Sequence, residues 1–121
     1  MDEERRHYTI EEAQRTLPLV RRIVADIVKA AQGLDAAADE SPEADRLMTS
    51  LRKYAQELGQ PGIELKDPRI GLIDYYWKRG DETAYLCWKH GEAEIAHWHD
   101  LESGFAGRRE LDAVDHSLDA R

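Results

Sequence analysis

Strand signals crowd into a single stretch of this chain. Residues 70–109 (IGLIDYYWKRGDETAYLCWKHGEAEIAHWHDLESGFAGRR) hold all three tryptophans, the single cysteine and three of the five histidines. Within that stretch, β-branched and aromatic residues gather into runs at 71–78, 82–89 and 94–100. Arg79-Gly80-Asp81 and His90-Gly91-Glu92 separate the runs. Apolar runs of this kind between turn residues predict three antiparallel strands in a meander.

Upstream, the apolar period is helical. Thr9 and Glu12 are spaced as a capping box, and Leu17, Val20, Val24, Ile27, Val28 and Ala31 then fall on one helical face. Pro18 removes a backbone donor inside that span, so a kink or restart is expected near Thr16. Gly33 reads as the stop. Ser41-Pro42 opens a second helix with a cap and an N1 proline. Its stripe is Leu47, Leu51, Tyr54, Ala55 and Leu58, and Gly59 closes it.

The expected fold class is α+β: an antiparallel two-helix hairpin packed on a three-stranded antiparallel β-meander. With 121 residues the chain reads as a single domain over 1–121. Its ordered core is expected at about 8–109, with mobile charged termini at 1–7 and 110–121, the latter including a short frayed helix. A three-stranded sheet leaves two edges and a second face uncovered, so a homodimer is expected.

Composition narrows the function classes. A net charge of -8 argues against nucleic acid, which needs a basic patch to neutralise phosphates, and against an anionic membrane surface. No apolar run approaches the roughly 18 residues of a spanning helix. The charged start MDEERRHYTI lacks the apolar centre of a secretory signal. A lone cysteine makes no internal disulfide. A cytoplasmic location is the expectation.

Strand side chains alternate. Pairing Trp88 near Glu94 turns Leu86, Ala96 and Trp98 toward the helices. Tyr85, Cys87, Ile95, His97 and His99 then share the other face. Asp74 joins one face or the other according to the length of the first turn.

The sharpest chemical pattern is His97-Trp98-His99-Asp100-Leu101-Glu102. Two histidines two apart on a strand project in parallel, and a carboxylate beyond the strand end can complete a set of two nitrogens and one oxygen. Such a set with open positions suits iron or zinc as a divalent transition metal. Glu102 is the first candidate carboxylate; Asp74, Asp100 and Glu92 are its rivals. The plain alternative is a sheet face whose histidines and aromatics make cross-strand contacts. Cys87 reads mainly as a small buried hydrophobe, and as a nucleophile only with a histidine beside it. Phe105 reads as a buried anchor in a tight loop, and Arg108 either as a group for a substrate carboxylate or phosphate or as an ion-pair partner for the acidic surface or a partner subunit.

The segments TIEEAQRTLP at 9–18, GLID at 71–74, LCWKHGE at 86–92 and IAHWHDLESGFAGR at 95–108 resemble an uncharacterised bacterial family, the domain of unknown function 2203, over about residues 8–109. The family motif falls on Asp74, Cys87, Trp88, Gly91, Glu92, Trp98, His99, Gly104, Phe105, Gly107 and Arg108. Relatives often carry an aromatic residue at the position of His97. The resemblance therefore implies a site centred on His99 with Asp74, Glu92 or Glu102, and it brings no established reaction with it.

Two readings follow. One is a small cytosolic metal-binding protein, extending to a mononuclear metal-dependent enzyme, with His97, His99, Glu102 and Asp74 as metal ligands and Arg108 for substrate. Glu92 and Cys87 are its further candidates. The other is a non-catalytic dimeric interaction module that docks a partner through a sheet face rich in Tyr75, Tyr76, Trp77 and Tyr85.

Overall fold

The computed structural model describes residues 6–119. Helix α1, Ile10–Ala36, starts on the expected capping box: Thr9 Oγ1 accepts from the Glu12 N–H at 3.0 Å, and Glu12 Oε1 accepts from the Thr9 N–H at 3.0 Å. The helix runs unbroken through Pro18, so the expected restart near Thr16 does not occur. A proline in a helix interior costs about 3 kcal/mol. Burying Leu17, Val20, Val24 and Ile27 offsets this, at roughly 1.5–3 kcal/mol for each side chain. Thr16 also ties the turn to the sheet, sharing a 2.6 Å hydrogen bond with the Tyr75 hydroxyl. Gly33 is not the stop. It lies inside α1 at a close approach, where an added Cβ would sit 3.1 Å from Leu47 Cδ1.

Helix α2, Pro42–Gly59, begins as the Ser41-Pro42 signal predicts, with Ser41 Oγ accepting from the Ala44 N–H at 3.0 Å. It packs on α1 and buries Leu58 fully and Leu51 and Tyr54 in part.

The sheet has five strands where three are expected: β1 Ile63–Asp67, β2 Leu72–Arg79, β3 Glu82–Lys89, β4 His97–His99 and β5 Arg109–Glu110. Their spatial order is β1-β2-β3-β4-β5, antiparallel throughout. β1 forms because Ile63 and Leu65 pair with Tyr75 and Ile73, adding two apolar side chains to the helix-facing layer. The run predicted at 94–100 shortens to His97–His99. Gln14 explains this, since its carboxamide accepts from the Ile95 N–H at 2.9 Å and donates to the Ile95 carbonyl at 3.0 Å. A side chain thus replaces a strand partner. Ile95, expected on the outer face, turns into the core and is 1% exposed.

Residues 108–119 fold back, and the short helix expected there forms as part of the packed structure; residues 1–5 and 120–121 of the expected termini lie outside the described residues. β5 pairs with β4, and α3, Ala113–Asp119, packs near α1 and β2. Buried Asp115 holds α3 in place, accepting from Arg79 Nε at 2.7 Å and from the Asp112 N–H at 3.0 Å. The Asp119 carboxylate accepts from the backbone N–H groups of Ile10 and Glu11, adding a negative charge at the positive end of the α1 dipole.

The β2–β3 hairpin turns on Gly80-Asp81, with Arg79 opposite Glu82 and Gly80 at φ +64. A two-residue turn with glycine at its first central position matches strand twist. It places Asp74 opposite Cys87, which settles the face of Asp74. Ile73, Tyr75, Trp77, Leu86, Trp88 and Trp98 all point into the core under the helices. Tyr75 and Trp77 therefore contribute nothing to an exposed aromatic face, and Tyr85 on the other side is also buried.

Gly71 joins the two layers. At φ +68 an added Cβ would lie 2.6 Å from His90 Cβ, 2.7 Å from Val24 Cγ1 and 2.9 Å from Val28 Cγ2, whereas nothing lies within 4 Å of one at Gly80. Gly80→Ala is expected to cost about 1–2 kcal/mol for its left-handed backbone alone. Gly71→Ala is expected to cost at least ~1–3 kcal/mol more, because overpacking adds to the backbone term. Urea unfolding of both variants checks the order; equal losses would contradict the close approach.

Candidate metal centre

The register of the sheet lines up Glu64, Asp74, Cys87, His97 and Glu110 in one row across all five strands. They share the face turned away from the helices. Tyr76, Tyr85 and His99 form the next row on that face.

Where the rows meet, Asp74, Cys87 and His99 converge. One ligand atom from each lies within 4.8 Å of the others. All three are buried, with Asp74 at 2% and His99 at 3% exposure. His99 Nε2 lies 3.0 Å from Asp74 Oδ2, and His99 Nδ1 lies 2.7 Å from the Asp100 carbonyl oxygen. A carbonyl only accepts, so Nδ1 carries a hydrogen and donates. The Nε2···Oδ2 contact is then bridged by a single proton, held by one partner or the other. Asp74 Oδ1 has no hydrogen-bond partner among the described residues.

The Asp100 carbonyl is held by its own loop. Its side-chain Oδ1 accepts from the N–H groups of Ser103 at 2.7 Å and Glu102 at 3.0 Å. Those bonds, that from Ser103 first, hold the Asp100 carboxyl below its ordinary range. The carboxylate of Asp100 thus turns into the loop and fixes the ring of His99 through the backbone.

Burial pushes the Cys87 thiol up to about 12, the neighbouring Asp74 charge adds to the rise, and Arg108 opposes it. A thiol so placed is protonated near neutrality, and both ring nitrogens of His99 are already engaged. His99 lies within reach of Cys87, but with both ring nitrogens engaged it is not free to take the thiol proton, so the nucleophile reading gains no support from it.

A rim borders the cluster. Arg108 donates from Nη1 to Glu92 Oε2 and from Nη2 to Glu92 Oε1, each at 2.7 Å, and Nη2 also donates to the Cys87 carbonyl at 3.1 Å. Glu92 folds back from the Gly91 turn, where φ is +100, and its Oε1 also accepts from the Lys89 N–H at 2.8 Å. Burial raises the Glu92 carboxyl, but the hydrogen bonds from Arg108 and Lys89 and the Arg108 charge outweigh it and hold it below the ordinary 4.5. His97 Nδ1 stands 3.9 Å from Glu92 Oε2.

Of the residues singled out in the sequence, the fold brings together His99, Asp74 and Cys87. His97 stands on the same face but beside Glu92. Glu102 is exposed at the strand end and offers only its backbone N–H to Asp100. Phe105 is no buried anchor; it is 41% exposed and lies under the Arg108 guanidinium, 5.0 Å from ring centroid to Cζ. Cys87, a further candidate in the sequence, joins the cluster as the cross-strand neighbour of Asp74. The signal that finds it is the Gly80-Asp81 turn, because a two-residue loop sets position 74 opposite 87.

Residues 6–111 match the family described as an uncharacterized conserved protein, DUF2203. The chain belongs to that family. No curated protein and no solved structure matches it. The DUF2203 match takes in the whole cluster and its rim and stops short of α3.

Two outcomes check this geometry in the DUF2203 protein. With a thiol pKa of about 12, native Cys87 is expected to react with iodoacetamide at pH 8 at least ~100-fold more slowly than free cysteine; mass spectrometry of the alkylated protein reads it. Glu92 has a depressed folded pKa, so its contribution is complete above the unfolded value of 4.5 and disappears as the pH falls through the lower folded value. Glu92→Gln is accordingly expected to cost about 1–3 kcal/mol at pH 7, with the gap closing in acid. Urea melts across pH measure it, and a gap independent of pH would contradict the ion pair.

Proposed function

We propose that this protein binds one divalent transition metal ion on Asp74, Cys87 and His99, as a small metal-dependent enzyme. The observation that carries the reading is His99: its Nδ1–H is pinned to a backbone carbonyl, and its Nε2 is aimed at a carboxylate with a thiol beside it. Metal-ligating histidines are oriented by such a bond on the far nitrogen. Asp74, Cys87 and His99 would hold the ion as deprotonated ligands, giving up the proton between Nε2 and Asp74 and the proton of the thiol.

The donor set favours zinc over ferrous iron. Thiolate, imidazole and carboxylate are zinc ligands, whereas the iron facial triad uses two histidines and a carboxylate, and His97 stands apart from this cluster. Three protein ligands match the number found in catalytic zinc sites, and a zinc ion held by them would supply a water of lowered pKa. The docking-module alternative loses support because Tyr75, Trp77 and Tyr85 are buried.

Untagged protein is expected to carry close to one equivalent of metal per chain by elemental analysis. Cys87→Ser and His99→Ala are expected to lose it. Chelation is expected to lower stability by about 4 kcal/mol where free metal stands a thousandfold above Kd. Protein that holds no divalent ion, and whose uptake is unchanged by His99→Ala, would end this proposal.

A further inference from the structure

Buried side-chain atoms without a hydrogen-bond partner gather in one patch. Among the described residues they are Asp74 Oδ1, Trp77 Nε1, His97 Nδ1 and Arg108 Nε. All except the Trp77 atom belong to residues placed around Cys87. Asp74 pairs with Cys87 across one side of β3 and His97 across the other, while Arg108 donates to the Cys87 carbonyl. Each such orphan costs about 1–3 kcal/mol, and folded proteins hold few of them. Three in one place are better explained by a ligand than by loose packing.

Their chemistry narrows the ligand. Asp74 Oδ1 accepts and falls to the metal. Arg108 Nε–H only donates, and His97 Nδ1 donates in one tautomer. A metal held on Asp74, Cys87 and His99, with these two donors on residues that neighbour Cys87, would ask for a ligand whose oxygen atoms accept.

Charge narrows the ligand further. The Asp74 carboxylate and Cys87 thiolate balance a divalent ion, and Glu92 balances Arg108. In a site balanced in this way each further negative charge on the ligand adds a burial cost, so a monoanion is favoured over a dianion. The rim is the more open part of the cluster: the side chains of His97 and Glu92 are 28% and 22% exposed, against 4% and 2% for those of His99 and Asp74.

We infer that the site takes a small monocarboxylate, bound between the metal and the donor pair Arg108 Nε and His97 Nδ1. This rests on the metal reading above.

The test uses the full chain loaded with cobalt(II), followed by its d–d bands and its thiolate-to-cobalt absorption. The loaded protein is titrated with sodium acetate and, separately, with inorganic phosphate at constant ionic strength. Acetate is expected to shift the d–d bands saturably, with phosphate at least ~10-fold weaker. Arg108→Lys keeps a cation for Glu92 and removes the Nε–H. His97→Phe removes the second donor from a part-exposed position, so it tests the inference even where the first variant fails to fold. Each is expected to weaken acetate about 10-fold, as loss of a charge-assisted hydrogen bond does, without loss of the thiolate band.

Acetate that leaves the bands unmoved, or binds equally well in both variants, overturns the inference and leaves the metal reading standing. Phosphate binding as tightly as acetate overturns the monoanion assignment. A wild-type protein with no thiolate band overturns the metal reading and this inference with it.

Discussion

The ladder between β2 and β3 runs from Leu72 opposite Lys89 to Arg79 opposite Glu82 and closes on two residues. Because strand side chains alternate, that closure assigns every residue of both strands to a face, and a slip of one residue would exchange the faces. In the register observed, Tyr75, Trp77, Leu86 and Trp88 fill the layer under α1, while Asp74 and Cys87 meet on the other side. A slip would bring a carboxylate into contact with Val24 and Ile27 and turn two indoles out to solvent. Burial of the large side chains thus enforces the pairing that creates the polar cluster, and the cluster need contribute nothing to its own assembly.

Among the described residues, the helices pack on one face of the sheet and leave the second to other cover. It is closed by a loop whose parts depend on one another: the Asp100 side chain ties down Glu102 and Ser103, the Asp100 carbonyl fixes His99, and Arg108 binds Glu92 and the edge of β3. At Gly107 an added Cβ would lie 2.3 Å from Ser103 Cβ, so the loop closes on itself there without room for a side chain. A cover of this kind is polar. It keeps water from Asp74 and His99 and yet leaves donors unpaired, the combination that ligand sites have and packed cores lack.

Much of the helical layer was legible in the residues. Thr9 with Glu12 and Ser41 with Pro42 act through backbone groups within a turn, so their effect is local and reads directly from spacing. Pro18 and Gly33 misled because both were read as local signals. The stripe from Leu17 to Ile27 carries α1 past the proline, and Leu47 of α2 gives Gly33 its purpose. The same holds for Ile95, whose backbone partner is a glutamine side chain 81 positions away, and for β5 and α3, which depend on Trp98, Arg79 and the start of α1. No short window of sequence contains such partners.

The site divides in the same way. Its ingredients (a histidine ending a strand, an aspartate in GLID, a cysteine between Leu86 and Trp88, an arginine after a glycine) stand in the sequence, as do the α+β class and the acidic balance that disfavours nucleic acid. These follow from residue type and from periods of two or about 3.6 residues, which the chain carries wherever it folds. Which carboxylate meets His99, that Cys87 joins them while His97 and Glu102 do not, and that Glu92 occupies Arg108 were decided only by tertiary structure. The reason is geometric: the meeting points lie on different strands, and cross-strand distances depend on register and loop closure, which the core packing on the opposite face selects.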